Sequence, residues 1–442
     1  MKLRKALLCV FIGAALCFAA FWVFFESATA VLWTDQPEFA LYAECFNATQ
    51  DDYKVEFHYV ENMAQRLSVI SGSAEATPDL VVGNWLKSAS TRALFKPLDS
   101  FFQKDRIAKI AFYPRLLALG TIDEQQYLLP VAFNIPALVF ARANVRLLSN
   151  PFTIDFEEIK TLGKAYNVER NGIYSRMGFS PIWNDEFLYV TASLFNASFR
   201  EAAVEKTIRA PATDDVPSET VDDVAWNPVA LEEAIQALRS STQESNSDIQ
   251  AEDDFVFKYF YEPTPKLAIA GRILFTSMSS TEFFTLVQEQ RSNLDFRWIA
   301  EKNTIPLSED TVYYGVYKNG KAQKAADAFT EWFFQTETQR QLLEISRDQR
   351  VNETRFGISN GFSAMRTVTE QIFPQFYPSL LGHMPPSDFL APPNILPQNW
   401  RILKTQVIIP YLHERLRQSE STPEVRSLEK RISDWYRLNR SF

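Results

Sequence analysis

Cysteine is almost absent from this 442-residue chain: there are three, Cys9, Cys17 and Cys45. Two fall in the leading segment, so a disulfide framework is excluded beyond it and a large apolar core must hold the fold. Histidine is equally scarce. His58, His383 and His413 lie far apart in no metal-ligand spacing and read as solitary structural or surface side chains. Glycine totals 13, and there is no phosphate-cradling glycine loop, no Gly-x-Ser-x-Gly elbow and no Cys/His nucleophile pairing. Paired carboxylates such as Asp51-Asp52, Asp222-Asp223 and Asp253-Asp254 stand in polar, turn-like stretches, where a solvated surface is a plainer reading than a glycosidase dyad. These absences point away from an enzyme, and no cofactor or metal is expected.

Positive charge is in deficit as well, with 45 Lys and Arg against 54 Asp and Glu and a net charge of -9. Removal of residues 1–30 takes away Lys2, Arg4, Lys5 and Glu26, which moves the balance from -9 to -11. That argues against nucleic acid or an anionic membrane surface as a partner. What the leading segment does have is a basic start followed by twenty uncharged residues from Ala6 to Phe25. This is an export signal, so the remainder is expected in the periplasm or on the extracytoplasmic face of the cytoplasmic membrane. Three fates are open to it. Ala28-Thr29-Ala30 could be cut after Ala30. The apolar run also exceeds the usual signal core of roughly 7–15 residues and could stay as an anchor. Lipidation at Cys17 fits less well, because Leu16 stands where a small residue is wanted.

Apolar periodicity supplies the organisation. VLW (31–33) and YKVEFHYV (53–60) read as strands flanking a helix, and a second helix from Met63 to Ile70 precedes the apolar strand DLVV (79–82). Alternating strands and helices indicate a parallel sheet covered on both faces. In YLLPVAFNIPALVFARANV (127–145), Pro130 and Pro136 keep their neighbours extended, which suits a strand passing from one lobe to another. Residues 201–228 and 242–248 are polar surface insertions around the helix LEEAIQALRSS. KLAIAGRILFTSMSS (266–280) is strand-like, FRWIA (296–300) and TVYYGVYK (311–318) make a second crossing, and Lys321–Leu343 forms one helix with Ala325, Phe329, Trp332 and Phe333 on its inner face. The remainder is helical with proline-rich turns at 374–397.

The order of VLWTDQPE, TPDLVVGNW, FKPLDSFF, YLLPVAFNIPALVFARANV, KLAIAGRILFTSMSS and PNILPQNW resembles the extracellular solute-binding protein family 1, a carbohydrate-binding group, across nearly all of residues 31–440. The resemblance implies an α/β, periplasmic-binding-protein-like fold: two discontinuous α/β lobes joined by a hinge, with a ligand cleft between them. After residues 1–30, lobe one would take 31–132 plus 299–339, and lobe two 133–298 plus 340–442. It also implies a monomeric substrate-binding component of an ABC importer that closes on a carbohydrate and delivers it to a membrane permease. A polyamine, a peptide, an anion or a sensing role are the alternatives on the same fold. The chain is poor in glycine, and TSMSS stands where many relatives carry glycine and tryptophan, so the ligand's identity stays open.

Sugars are held by aromatic rings stacked on C–H faces and by planar polar groups that bridge hydroxyls, both at strand ends facing the cleft. Carried over on the resemblance, the first-strand loop supplies Thr34, Asp35, Gln36 and Glu38, and the Pro-Asp strand ends in Asn84 and Trp85. The first crossing offers Phe133 and Asn134. Trp183 and Asn184 follow a Pro-Ile turn, while Thr276, Ser277 and Ser279 end a second-lobe strand. Trp400 follows PNILPQN as a stacking ring. Tyr313 and Tyr314 alternate on a strand, and Tyr314 is taken as the one that reaches the cleft. Trp33 and Trp332 are core residues, and Trp298 packs near the crossing.

Overall fold

The structure is a computed structural model that describes residues 28–70, 77–104, 106–202, 224–418 and 424–439. The leading apolar run and most of the acidic 201–228 stretch lie outside these. The chain first lays down β1 (Thr29–Thr34), helix α1 (Glu38–Thr49), β2 (Lys54–Tyr59), β3 (Leu80–Gly83) and β4 (Leu129–Phe133). It then passes through Asn134 and Ile135 into β5 (Pro136–Ala141), followed by β6 (Thr153–Ile154), helix α2 (Asp185–Leu194), β7 (Phe275–Ser279) and β8 (Leu294–Ile299). A second passage leads back to β9 (Val312–Val316), helices α3 (Gln323–Phe333) and α4 (Thr336–Asp348), and β10 (Phe362–Ser363).

Two sheets result. One runs β10-β4-β9-β3-β1-β2, and the other β7-β5-β8-β6. Both faces of the first are covered, which is why β3, β4 and β9 are unbroken apolar runs. On one face α1 and α3 pack together: Phe39 lies 5.2 Å from Phe333 and Phe46 lies 5.3 Å from Phe329, centroid to centroid. The parallel pair β1–β2 fixes the first register, with Ala30 opposite Val55 and Trp33 opposite His58.

The two lobes share chain at the hinge. Pro136 holds the backbone extended, so two residues suffice for the first passage. In the second, Ile305 and Pro306 pair with Leu390 and Ala391 of the last segment, which runs on to Trp400. Apolar contact continues across: Phe284 stacks on Phe356 at 4.5 Å, and Trp298 lies 5.9 Å from Phe362.

Several expectations need correction. Strand β1 starts at Thr29, two residues before Val31. The strand-like stretch 266–280 opens as a helix, Thr264–Ile269, because a short apolar run fits a buried helix as well as a strand. Gly271, at φ +68°, stops that helix, and only Phe275–Ser279 is a strand. The single helix expected over Lys321–Leu343 is two, α3 and α4, broken at Phe334 and Gln335. Residues 340–363 were expected in lobe two, yet Leu342 and Leu343 join the core under the first sheet and β10 pairs with β4. A two-residue strand leaves no periodic signal to read.

Candidate ligand cleft

Between the sheets lies a cavity of about 710 Å³, within the size range of small-molecule sites. The first lobe contributes Asp35, Gln36, Asn84 and Trp85, which follow the C-terminal ends of β1 and β3. The second contributes Asn184, Ser277 and Ser279, and Trp400 stands in the wall. The first passage adds Asn134. These residues converge because parallel strands present their carboxyl ends, and the loops after them, to one edge of the sheet.

Not all of them are free to bind. Asn134 donates to Asn360 O at 3.1 Å and accepts from Ser280 Oγ at 2.7 Å and Thr281 Oγ1 at 2.8 Å, so its amide pins the hinge. The side chain of Asn184 caps α2 through Phe187 N at 2.9 Å, and Ser279 caps the helix that follows β7. Asn84 differs, because its Oδ1 is buried and has no partner among the described residues. Trp85 beside it has φ +64°, a left-handed conformation rare for so bulky a residue. Its ring packs against apolar clusters of both lobes. Nearby, Ala89 N donates to Glu201 Oε2 at 3.0 Å and Ser90 Oγ to Gln398 Oε1 at 3.1 Å, joining the lobes at one lip of the cleft.

The remaining expected residues do not line the cavity. Tyr314 is fully buried beneath the sheet, 6.4 Å from the parallel ring of Phe333, with its hydroxyl 2.6 Å from Thr330 Oγ1. Tyr313 faces the other way and is buried too, donating to Leu116 O at 2.9 Å. Strand alternation separated the two faces correctly, but both are covered. Phe133 sits between Tyr113 and Phe362. Trp183 stacks on Phe255 at 5.6 Å. Thr34 Oγ1 accepts from Gln36 N and shapes the loop, and Thr276 shares a hydrogen bond with Thr264 at 2.7 Å. Glu38 is buried behind the wall, with Arg355 3.4 Å away. Trp400 borders the cleft but is fully buried against Tyr189 and Phe199, so it offers no free ring face.

A charged cluster at the second passage escaped notice. Lys404 Nζ lies 2.6 Å from both Glu309 Oε1 and Glu186 Oε2, and 4.4 Å from the centre of the Tyr189 ring. Trp400 Nε1 donates to the same Glu309 oxygen at 3.0 Å. Burial alone would push the lysine's pKa down, but Glu309 and Glu186 outweigh it and hold it above the ordinary value. Neighbouring Asp310 is exposed at the cleft, yet the enclosing walls, with Glu309 and Glu186, push its carboxyl up to about 6. Asp35 is raised as well, chiefly by its enclosure, against the bond from Gln36 and the charge of Arg401. Local spacing gives only one hint, Lys404 one helical turn after Trp400; Glu186 and Glu309 reach the cluster from distant parts of the chain.

Solved structures of sugar-binding proteins share the architecture, three of them as follows. The sugar-binding protein MalE from Xanthomonas citri aligns at TM-score 0.61 and 11% identity, over 93% of this chain and 96% of that one. The cyclic α-maltosyl-1,6-maltose binding protein from Arthrobacter globiformis aligns at 0.59 and 16%, over 92% and 96%. A sugar transporter from Rhizobium etli in an open conformation aligns at 0.62 and 12%, over 92% and 98%. At these identities the likeness shows the periplasmic-binding-protein fold, with two sheets forming separate lobes. No curated protein matches the chain. The model of the bacterial extracellular solute-binding proteins, however, matches residues 42–348, well over half the length, and the chain therefore belongs to that family of binding components.

Proposed function

We propose that this protein is the extracytoplasmic substrate-binding component of an ABC importer, and that it closes its lobes on an oligosaccharide and presents the closed form to a membrane permease. The observation that carries the ligand class is the pairing of an unpartnered planar acceptor, Asn84 Oδ1, with the adjoining aromatic Trp85 at the cleft. A sugar uses both at once, through a hydroxyl and a C–H face. Asp35 and Gln36 beside them, and Arg401 from the other lobe, complete a set of planar polar groups. The structural neighbours bind sugars by their descriptions, which supports the same reading. Lobe motion is assigned to the passages at 133–136 and 300–311 and to the strand following residue 390.

A thermal-shift screen of residues 28–442 tests this, since a ligand that binds only the folded state raises the melting temperature. Gluco- and manno-oligosaccharides are expected to raise it by several degrees and amino acids not at all. Stabilisation by oligopeptides alone would contradict the reading.

The leading segment stays on the chain as a membrane tether. Supporting this, Thr29 pairs with Lys54 and the fully buried Ala30 with Val55, and Lys54 N donates to Ala28 O at 2.8 Å. A cut after Ala30 would remove the first two residues of β1. The intact mass of the native chain should include residue 28 and all before it, and a mass starting at Val31 would overturn the tether.

A further inference from the structure

We propose that the carbohydrate taken by this cleft carries free amino groups and binds as a cation, an oligosaccharide of unacetylated amino sugars. This rests on the carbohydrate reading above and narrows it. Asp35, Glu186, Glu282, Glu309 and Asp310 line the cavity, against Arg355, Arg401 and Lys404. Two of the cations are already engaged. Lys404 is shared by Glu186 and Glu309 at 2.6 Å each, and Arg355 lies 3.4 Å from Glu38 behind the wall. Arg401 makes no ion pair among the described residues and acts on Asp35 only through its charge. Asp310 has no cation of its own among the described residues. It stands in the field of Glu309 and Glu186, which Lys404 offsets only in part.

A neutral sugar would leave that deficit in place. An ammonium group beside Asp310 would convert carboxylate–carboxylate repulsion into a charge-assisted hydrogen bond, roughly twice as strong as a neutral one. Enclosure raises the Asp35 carboxyl, and at Asp310 enclosure is joined by the charges of Glu309 and Glu186, so the excess of negative charge is felt at Asp310. An amine on a sugar meets both demands of the cleft: its ring can lie on Trp85 and its hydroxyls can reach Asn84, while the charge goes to Asp310. A linear polyamine would use the acids but has no ring face to lie on Trp85.

The test is calorimetric titration of the folded chain at pH 6.5 with β-1,4-linked glucosamine oligomers, their N-acetylated counterparts, β-1,4- and α-1,4-linked glucose oligomers of equal length, and spermidine. The free-amine oligomers should bind at least about tenfold more tightly than the acetylated or neutral ones, with an advantage that shrinks as salt rises. Asp310→Asn should remove most of that advantage and leave the weaker neutral binding in place. Equal or tighter binding of a neutral oligomer would overturn the amine preference and leave the carbohydrate reading standing. Spermidine binding with no saccharide bound, or no binding by any of these, would overturn both.

Discussion

Lys404→Ala is expected to lower the unfolding free energy at pH 7 by about 3–5 kcal/mol, the usual loss when one partner of a buried ion pair is removed. Lys404 and Glu309 are both more than nine-tenths buried, and Glu309 Oε1 takes the lysine and the Trp400 indole N–H together. Alanine would strand the Glu309 carboxylate in the wall, with the more exposed Glu186 nearby and no cation between them. Without Lys404 the Glu186 carboxyl, already raised by its enclosure and by the charge of Glu309, loses the cation that holds it down and rises further above its unfolded value. The folded chain then binds more protons than the unfolded one, so the variant loses stability as pH rises through the carboxylate range. The deficit relative to the native chain should therefore be largest at pH 7 and smaller at pH 5. Adding Glu309→Gln to Lys404→Met should recover much of it, because the stranded charge is gone. Urea unfolding at both pH values reads this out, and a loss below about 1 kcal/mol at pH 7 would show that the pair is not buried as described.

Lys87→Met should act in the opposite direction and stabilise the protein by on the order of 1–4 kcal/mol at neutral pH, as apolar replacement of buried charge can. Lys87 is 6% exposed, and its ammonium has the Tyr313 ring at 4.6 Å but no carboxylate in ion-pair range among the described residues. Burial pushes its pKa from 10.5 down to about 7. Between those values the unfolded chain holds a proton that the folded chain has released, so native stability rises with pH across that window. Below about 7 both states are protonated and the cost of the buried charge is felt in full. The gain from methionine should thus be greatest at pH 7 and below, and fade toward pH 10.5. A gain independent of pH would point to packing alone, and a destabilised variant would refute buried, unpaired charge at this position.

How far the molecule could be read from sequence depended on the range of the interaction involved. The apolar run of β3 and the prolines around β4 and β5 act on their immediate neighbours, and both were legible. So were Asn84 and Asp35, because parallel strands deliver their ends to one edge. Trp400 was placed at the cleft, but its burial by Tyr189 and Phe199 depends on chain some two hundred residues away. Glu309 and Lys404 are separated by 95 positions, and no local pattern joins them. Asn134 and Asn184 show a further limit: residue type and position were right, yet their amides serve the hinge and a helix cap, demands set by tertiary contacts.

A saccharide held between the lobes would be seen outright in a crystal structure of residues 28–442 with the saccharide that most raises the melting temperature. A sugar ring is expected against Trp85, with a hydroxyl within hydrogen-bond distance of Asn84 Oδ1 and contacts from both lobes. A saccharide bound elsewhere, or touching one lobe only, would contradict this reading.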